Sequence, residues 1–328
     1  MSPAEIISSI SNKFIEAREC GELLFFPSTI CKHEDLGVQF EVRLCPALQK
    51  KPVAEVDLAK EKIKEGTQFD AFTPPYNPSL HVGDLEDDGG TNYVVLLNKF
   101  ALLPDHFLLV TKEFQSQTSP LMPPDLVQTY FLLAEARKLG KQYFAFYNCG
   151  EHSGASQPRK HIQFIPVHDK NPPIEVLAKA ANLEVQDKPF SLTALPYAHY
   201  VFRFPNQLPS YTQDKIEQVL SSAFLSLLDL VVSTVRLDPE YPPGRPSYNV
   251  LITLEHMHLI PRKQDVYTIP ETGYKVSVNA LGFAGMLLVK SNEELKALEK
   301  ESVGTVLLSL GLKNVHKTQI GDITAEVE

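Results

Sequence analysis

The sequence predicts an α+β fold of two similar halves in one chain, each a mainly antiparallel sheet with helices packed on one face. Three observations carry this. Strand-like runs accompany a helix in each half, and the order of elements is similar in both. Two octets, KHIQFIPV at 160–167 and EHMHLIPR at 255–262, share the form charged–His–apolar–(Gln/His)–apolar–Ile–Pro at the same relative place. Residues 1–175 are read as the first half and 176–328 as the second.

Taken in order, Ile6, Ile7, Ile10 and Phe14 recur at helical spacing over 3–20, and Gly21 is a stop. From about 46 to 91 the chain is charged and rich in Pro and Gly, which reads as a long irregular connection. TNYVVLLNKF and HFLLVTKEF are strands joined by ALLPD; Pro123 and Pro124 open a helix through Leu139 that Gly140 closes. QYFAFYN and KHIQFIPV follow as strands. In the second half AHYVFRFP is a strand, 212–235 a long apolar-rich helix, and RLDPEYPPGRPS a separator. SYNVLITLEHMHLIPR is a strand pair or one bent strand, AGMLLVK is another strand, and Ser291 with Glu294 makes a capping box for a last helix.

Composition narrows the class. The 328 residues are 43% hydrophobic and 22% charged, ordinary for a soluble protein with a sizeable core. A net charge of −9 argues against a nucleic-acid partner, which calls for a basic stripe, yet leaves room for a small anion in a local cationic pocket. Cys20, Cys31, Cys45 and Cys149 show no metal or disulfide spacing, which suggests a reducing compartment. The start, MSPAEIISSISNKF, lacks the pattern of a secretory signal, and AFLSLLDLVVSTV falls short of the ~20 residues of a membrane span. A cytoplasmic or nuclear protein with no membrane partner, monomeric or dimeric, is expected.

The chemistry concentrates in GASQPRKHIQFIP, 154–166. Alternate residues of a strand share a face, so His161 and Gln163 project together while Ile162 and Phe164 turn into a core. A neutral imidazole can attack phosphorus and form a covalent intermediate, and the amide can donate to a non-bridging oxygen of the group in transfer. Gly154, Ala155 and Ser156 are small enough for backbone N–H groups to wrap an anion, and Arg159 and Lys160 add positive charge. No Walker pattern exists. Alone, a histidine at a strand start is most often structural, and small residues before charge are most often a solvated turn; the coincidence of all these within ten residues raises nucleotidyl chemistry to stand level with that structural reading, and the pattern alone leaves both open. Elsewhere the bland reading prevails. His256 and His258 share a face but lack a third metal ligand. Lys99 reads as a surface lysine, Met286 as core, His106 as a residue fixing the turn after Pro104, and His152 as either a loop contact or a solvated turn.

The stretches CPALQKKP, VVLLNKFALLPDHFLLVTKEF, FYNCGEHSGASQPRKHIQ, SYNVLIT with LIPR, and GFAGMLLVK resemble, in order, the fungal diadenosine tetraphosphate phosphorylases (ATP adenylyltransferases) of the histidine-triad superfamily. The resemblance implies two histidine-triad-like halves, with the nucleophile in the first and a nucleotide cleft lined by both. It implies His161 as the residue that takes AMP covalently and Gln163 as the contact to the transferred phosphoryl group. Gly154, Ala155, Ser156 and Gln157 fall on the phosphate-gripping loop, and Asn148 on a phosphate or ribose contact. Lys51, Asn98 and Lys99 match polar nucleotide contacts; Asn279, Ala280, Leu281, Met286 and Lys290 fall where the second half touches substrate. The family has other residues at His256 and His258, which favours their structural reading.

There is one departure. The family places a helper histidine two before the nucleophile, where this chain has Arg159. A guanidinium stays protonated and cannot shuttle a proton. The leaving group is a polyphosphate, which needs little protonation, so charge stabilisation can suffice. The reaction implied is reversible phosphorolysis of diadenosine tetraphosphate to ATP and ADP, with adenylyl sulfate as a second donor. Magnesium or another divalent cation accompanies the polyphosphate, and no tightly bound cofactor is expected. Two rivals stand beside it: a hydrolase using water, and a nucleotide-binding sensor that has lost turnover through Arg159.

Overall fold

The computed structural model describes residues 1–50, 70–167, 171–182 and 187–315. Its main sheet has nine strands: β1 (His81–Glu86), β2 (Asn92–Leu97), β3 (Phe107–Thr111), β4 (Tyr143–Cys149), β5 (His161–Pro166), β6 (Phe190–Ser191), β7 (Tyr200–Arg203), β8 (Ser247–Ile252) and β9 (His256–Arg262). They lie in the order β6-β7-β9-β8-β4-β5-β3-β2-β1 and are antiparallel at every junction. Among the described residues the α-helices are α1 (Pro3–Glu19), α2 (Pro123–Lys138), α3 (Glu175–Ala180), α4 (Gln213–Leu237), α5 (Ala280–Phe283), α6 (Asn292–Glu301) and α7 (Val303–Leu310).

Read outward from the β4–β8 seam, β4-β5-β3-β2 on one side is mirrored by β8-β9-β7-β6 on the other. Each arm has one long helix between its second and third strands in sequence, α2 in the first and α4 in the second. The repeated octets therefore occupy matching strands, β5 and β9. The halves share one continuous sheet instead of keeping two, because β8 pairs directly with β4.

The two faces of this sheet have different neighbours. α1, α2 and α4 cover one face, where Ile6, Ile10 and Phe14, then Leu126, Tyr130 and Leu133, then Leu220, Phe224 and Leu227 bury helical stripes. Ile162 and Phe164 of β5 join that core, so strand alternation turns His161 and Gln163 to the opposite face. That second face is partly covered by a three-stranded sheet in which Val38–Leu44 pairs with Thr29–Asp35 and, in parallel, with Met286–Val289. Phe40, Val42, Phe144, Phe146, Leu287 and Ile260 fill the space between.

Sequence patterning did not reveal the 29–44 hairpin or β1. The outer hairpin strand, TICKHED, exposes alternate residues and carries charge, so it lacks an apolar run. Its turn relies on positive φ at both Leu36 (53°) and Gly37 (71°), which suits a tight two-residue hairpin. Strand β1 lies inside the stretch read as irregular; Gly83 sits where the β1–β2 register shifts. AGMLLVK is a strand as expected, but it docks on the N-terminal hairpin and not in the main sheet.

Candidate active site

His161 lies at the start of β5, only 3% exposed. Its Nδ1 sits 2.8 Å from the carbonyl oxygen of Arg159. A carbonyl only accepts, so Nδ1 carries the proton and Nε2 keeps its lone pair. Burial pushes the pKa of His161 down, opposed by that carbonyl bond and the nearby Asp70 carboxylate. The strand is pinned as well: the His161 backbone N–H donates to Gln117 Oε1 at 2.8 Å, and Gln117 Nε2 donates to the Asn148 carbonyl at 2.8 Å. The Phe72 ring covers the imidazole, with centroids 5.2 Å apart. The site therefore presents a dry, neutral, oriented imidazole, the form that acts as a nucleophile.

Arg159 and Lys160 have partners other than a phosphate. Arg159 Nε donates to Asp70 Oδ2 at 2.7 Å and its Nη1 to the Thr111 carbonyl at 3.2 Å, with Phe114 against the guanidinium. Lys160, 1% exposed, turns to the helix-covered face and bonds Pro120 O at 2.9 Å and Asp125 Oδ2 at 3.0 Å. Neither supplies the positive charge that the sequence reading gave to the loop. The ring orientation of His161 comes from the backbone carbonyl of residue 159, whatever side chain that residue bears.

A cleft of about 380 Å³ opens along the same face of β5 at Gln163 and Ile165; His161 itself is not among the residues that line it. Asn98, His106, Gly154, Ser156 and Gln163 line it from the first half; Asn279, Leu281, Met286 and Lys290 line it from the second. The other candidates stand back from it. Lys99 Nζ lies 5.7 Å from the centroid of the Phe100 ring. Ala155 and Gln157 are half-buried in the same loop as Gly154, and Ala280 is buried beneath Asn279. Asn148 is 2% exposed, its Oδ1 accepting from Asn249 Nδ2 at 2.9 Å and from the Ala280 N–H at 3.0 Å, so it ties the two halves together under the cleft. Lys51 lies outside the described residues. Sequence reading overlooked Arg43, a buried cation of the hairpin that lines the cleft and pairs with Glu41 at 2.9 Å. Its signal was available: an arginine alternating with apolar residues in FEVRL.

The loop is held by backbone geometry. Gly154 has φ +80°, and a Cβ there would meet the Val278 carbonyl at 2.8 Å and Asn279 Cβ at 2.9 Å. Gly154→Ala combines a disfavoured backbone with that clash, and is expected to cost about 1–3 kcal/mol of stability. It should also weaken dinucleotide binding at least about tenfold by pushing the loop off Asn279; calorimetric titration and thermal melting read both.

The matching place in the second half is closed. Glu175 is fully buried and bonds His256 Nδ1 and His258 Nε2, each at 2.8 Å. Burial raises its pKa, but the two imidazole hydrogen bonds outweigh this and hold it well below the usual carboxylate range. Arg203 Nε donates to His256 Nε2 at 3.0 Å, and His199 Nε2 lies 3.0 Å from His258 Nδ1. His256 and His258 are satisfied core groups with both ring nitrogens paired, whereas His199 Nδ1 is buried without a hydrogen-bond partner among the described residues. Among the described residues no group of three or more His, Cys, Asp or Glu is arranged to hold a metal ion.

Known proteins agree on the class. Residues 193–313 match the ATP adenylyltransferase C-terminal domain, which makes the chain a nucleotidyltransferase. Residues 1–180 match the Ap4A phosphorylase N-terminal domain, and the chain belongs to the Ap4A phosphorylase family. It is 31% identical over 320 residues to diadenosine 5',5'''-P1,P4-tetraphosphate phosphorylase 2 of Saccharomyces cerevisiae (strain ATCC 204508 / S288c), across 93% of this chain and 94% of the relative. The crystal structure of yeast Ap4A phosphorylase Apa2 superposes with a TM-score of 0.77 at 30% identity, covering 95% of each chain. The Apa2 complex with Ap4A gives 0.75 at 29% identity, covering 94% of this chain and 98% of that one.

Proposed function

We propose that the chain cleaves diadenosine tetraphosphate with inorganic phosphate, giving ATP and ADP through an adenylylated His161. Nε2 attacks the phosphorus next to one adenosine, and the P–O bond to the departing ATP breaks. A phosphate oxygen then attacks the same phosphorus, and the P–N bond electrons return to Nε2 as ADP forms. The observation that carries this is the Arg159 carbonyl on Nδ1: it keeps Nε2 bare and stabilises the cationic ring that develops on adenylylation. Gln163, on the same face of β5, donates to the phosphoryl oxygens in this reading. A divalent cation enters with the polyphosphate as part of the substrate, and the compartment is the cytoplasm or nucleus. Adenylyl sulfate fits the same first step, with sulfate leaving in place of ATP.

Incubation with the dinucleotide, with and without phosphate, tests the reading. ADP should form only with phosphate, and intact-protein mass spectrometry without phosphate should show one added adenylyl group. AMP formed at the same rate in both conditions would make the chain a hydrolase; binding without either product would make it a sensor.

A further inference from the structure

His106 immediately precedes β3, and its ring is 6% exposed at the edge of the cleft. Its Nε2 lies 3.1 Å from Gln163 Oε1. Asn98 Nδ2 lies 3.3 Å from both Nδ1 and Nε2 of the ring. The direction of this chain follows from one group that cannot be reversed. The backbone N–H of Phe100 donates to Asn98 Oδ1 at 2.9 Å, so the other terminus of that amide is its nitrogen, which donates. Nε2 already faces the Gln163 amide at 3.1 Å, and one lone pair there cannot serve donors from both amides, so Nδ1 accepts from Asn98, Nε2 carries the proton and Gln163 receives it through its oxygen. What remains is the Gln163 NH2 group, which makes no hydrogen bond with any described residue and belongs to a side chain lining the cleft. Burial pushes the His106 pKa down to about 4, so the ring is neutral and the polarity holds at physiological pH.

The second half supplies a comparison. His199 precedes β7 as His106 precedes β3, and His258 is the third residue of β9 as Gln163 is of β5. His199 Nε2 meets His258 Nδ1 at 3.0 Å, so the same contact recurs. There the chain continues from His258 Nε2 into the buried Glu175 carboxylate at 2.8 Å and ends. In the first half it ends on an amide facing a cleft. The repeated contact forms the shared scaffold; the free NH2 is peculiar to the half with the nucleophile.

We propose that His106 is a positioning residue for nucleotidyl transfer: as the Nε2–H tautomer it holds Gln163 by its oxygen and turns the Gln163 NH2 group toward the phosphoryl group on His161. This rests on the function proposed above. Were the amide reversed, its oxygen would face a phosphate anion and repel it, so orientation decides whether Gln163 stabilises or opposes the transfer.

Two measurements decide the proposal. Nitrogen–proton correlation spectra of the unmodified protein report which ring nitrogen of His106 is protonated; Nε2–H is expected, and Nδ1–H overturns the proposal. His106→Phe keeps volume and loses the donor, His106→Asn carries an amide too short to reach Gln163, and His106→Gln restores a donor near the Nε2 position. The Phe and Asn variants are expected to lose about 100-fold in kcat with KM for the dinucleotide within about threefold, and the Gln variant to return to within about tenfold of the parent. A Gln variant as impaired as the Asn variant, with both folded by thermal melting, overturns the proposal. So does an Asn variant within about threefold of the parent. Phosphate-dependent ADP formation by the parent is measured first and judges the function alone; the tautomer spectrum decides the His106 polarity whatever that assay gives.

Discussion

His161→Asn is expected to lower the phosphorolysis rate by at least about 10⁴-fold while leaving dinucleotide affinity within about threefold. The asymmetry follows from the geometry. Asparagine can reproduce the ring's Nδ1 contact, donating its amide N–H to the Arg159 carbonyl that now receives Nδ1–H at 2.8 Å. The cleft walls at Asn98, Gly154, Ser156 and Asn279 stay in place. What disappears is the lone pair on Nε2, and an amide nitrogen has none to offer phosphorus. Titration calorimetry and initial rates with phosphate separate the two effects, and mass spectrometry should find no adenylyl adduct. A variant retaining more than about 1% of the parent rate would show that another group attacks. The parent carries a companion expectation. The neutral ring is the reactive one, and burial lowers the His161 pKa. Single-turnover adenylylation without phosphate should therefore persist as pH falls through the ordinary histidine value of about 6.5, and fail only at lower pH. An acid limb at or above that value would mean the ring is hydrated in the working enzyme.

His161 and Gln163 were legible in the sequence because a strand has period two: with Ile162 and Phe164 committed to the core, only one face remained for them. Their neighbours were not. Arg159 and Lys160 look like one cationic pair, yet adjacent residues of an extended chain point oppositely. Each finds a carboxylate far away in sequence, Asp70 for one and Asp125 for the other. His106 read as a turn residue because its partner, Gln163, is 57 positions away. The repeated octets announced the duplication, but nothing local told that β4 and β8 would fuse the halves into one sheet. At that seam Asn148 and Asn249 lie opposite one another in register, and Asn249 Nδ2 donates to Asn148 Oδ1 on the cleft side. Patterns of period two or 3.6 report which face a residue takes; they do not report which distant residue it meets there.

Arg262, the last residue of the second octet, has the largest expected structural effect. It is 0% exposed, and its guanidinium is held by oxygens from separate parts of the chain. Nη1 donates to Ser153 O at 3.1 Å and to Asn249 Oδ1; Nη2 donates to Val278 O and Gln264 O, each at 2.8 Å; Nε donates to Leu310 O at 3.3 Å. The Phe283 ring lies 4.8 Å from its central carbon. Burial pushes its pKa down to about 9, which leaves it charged at neutral pH, with carbonyl dipoles in place of a hydrogen-bonded carboxylate. Ser153 precedes Gly154 and Val278 precedes Asn279, two cleft-lining residues that pack against each other, so one side chain anchors both segments. Arg262→Met is close in volume yet leaves those buried acceptors without a donor, at a cost of about 3–5 kcal/mol. Arg262→Lys offers three donors on a single nitrogen and cannot span the five oxygens, so it should fall between parent and Met in stability. Its KM for the dinucleotide should still rise, because Ser153 and Val278 would no longer share an anchor. Urea unfolding of the three proteins and steady-state kinetics of the folded ones test this. A Met variant within about 1 kcal/mol of the parent, with unchanged KM, would mean that the two loops hold their positions without the guanidinium.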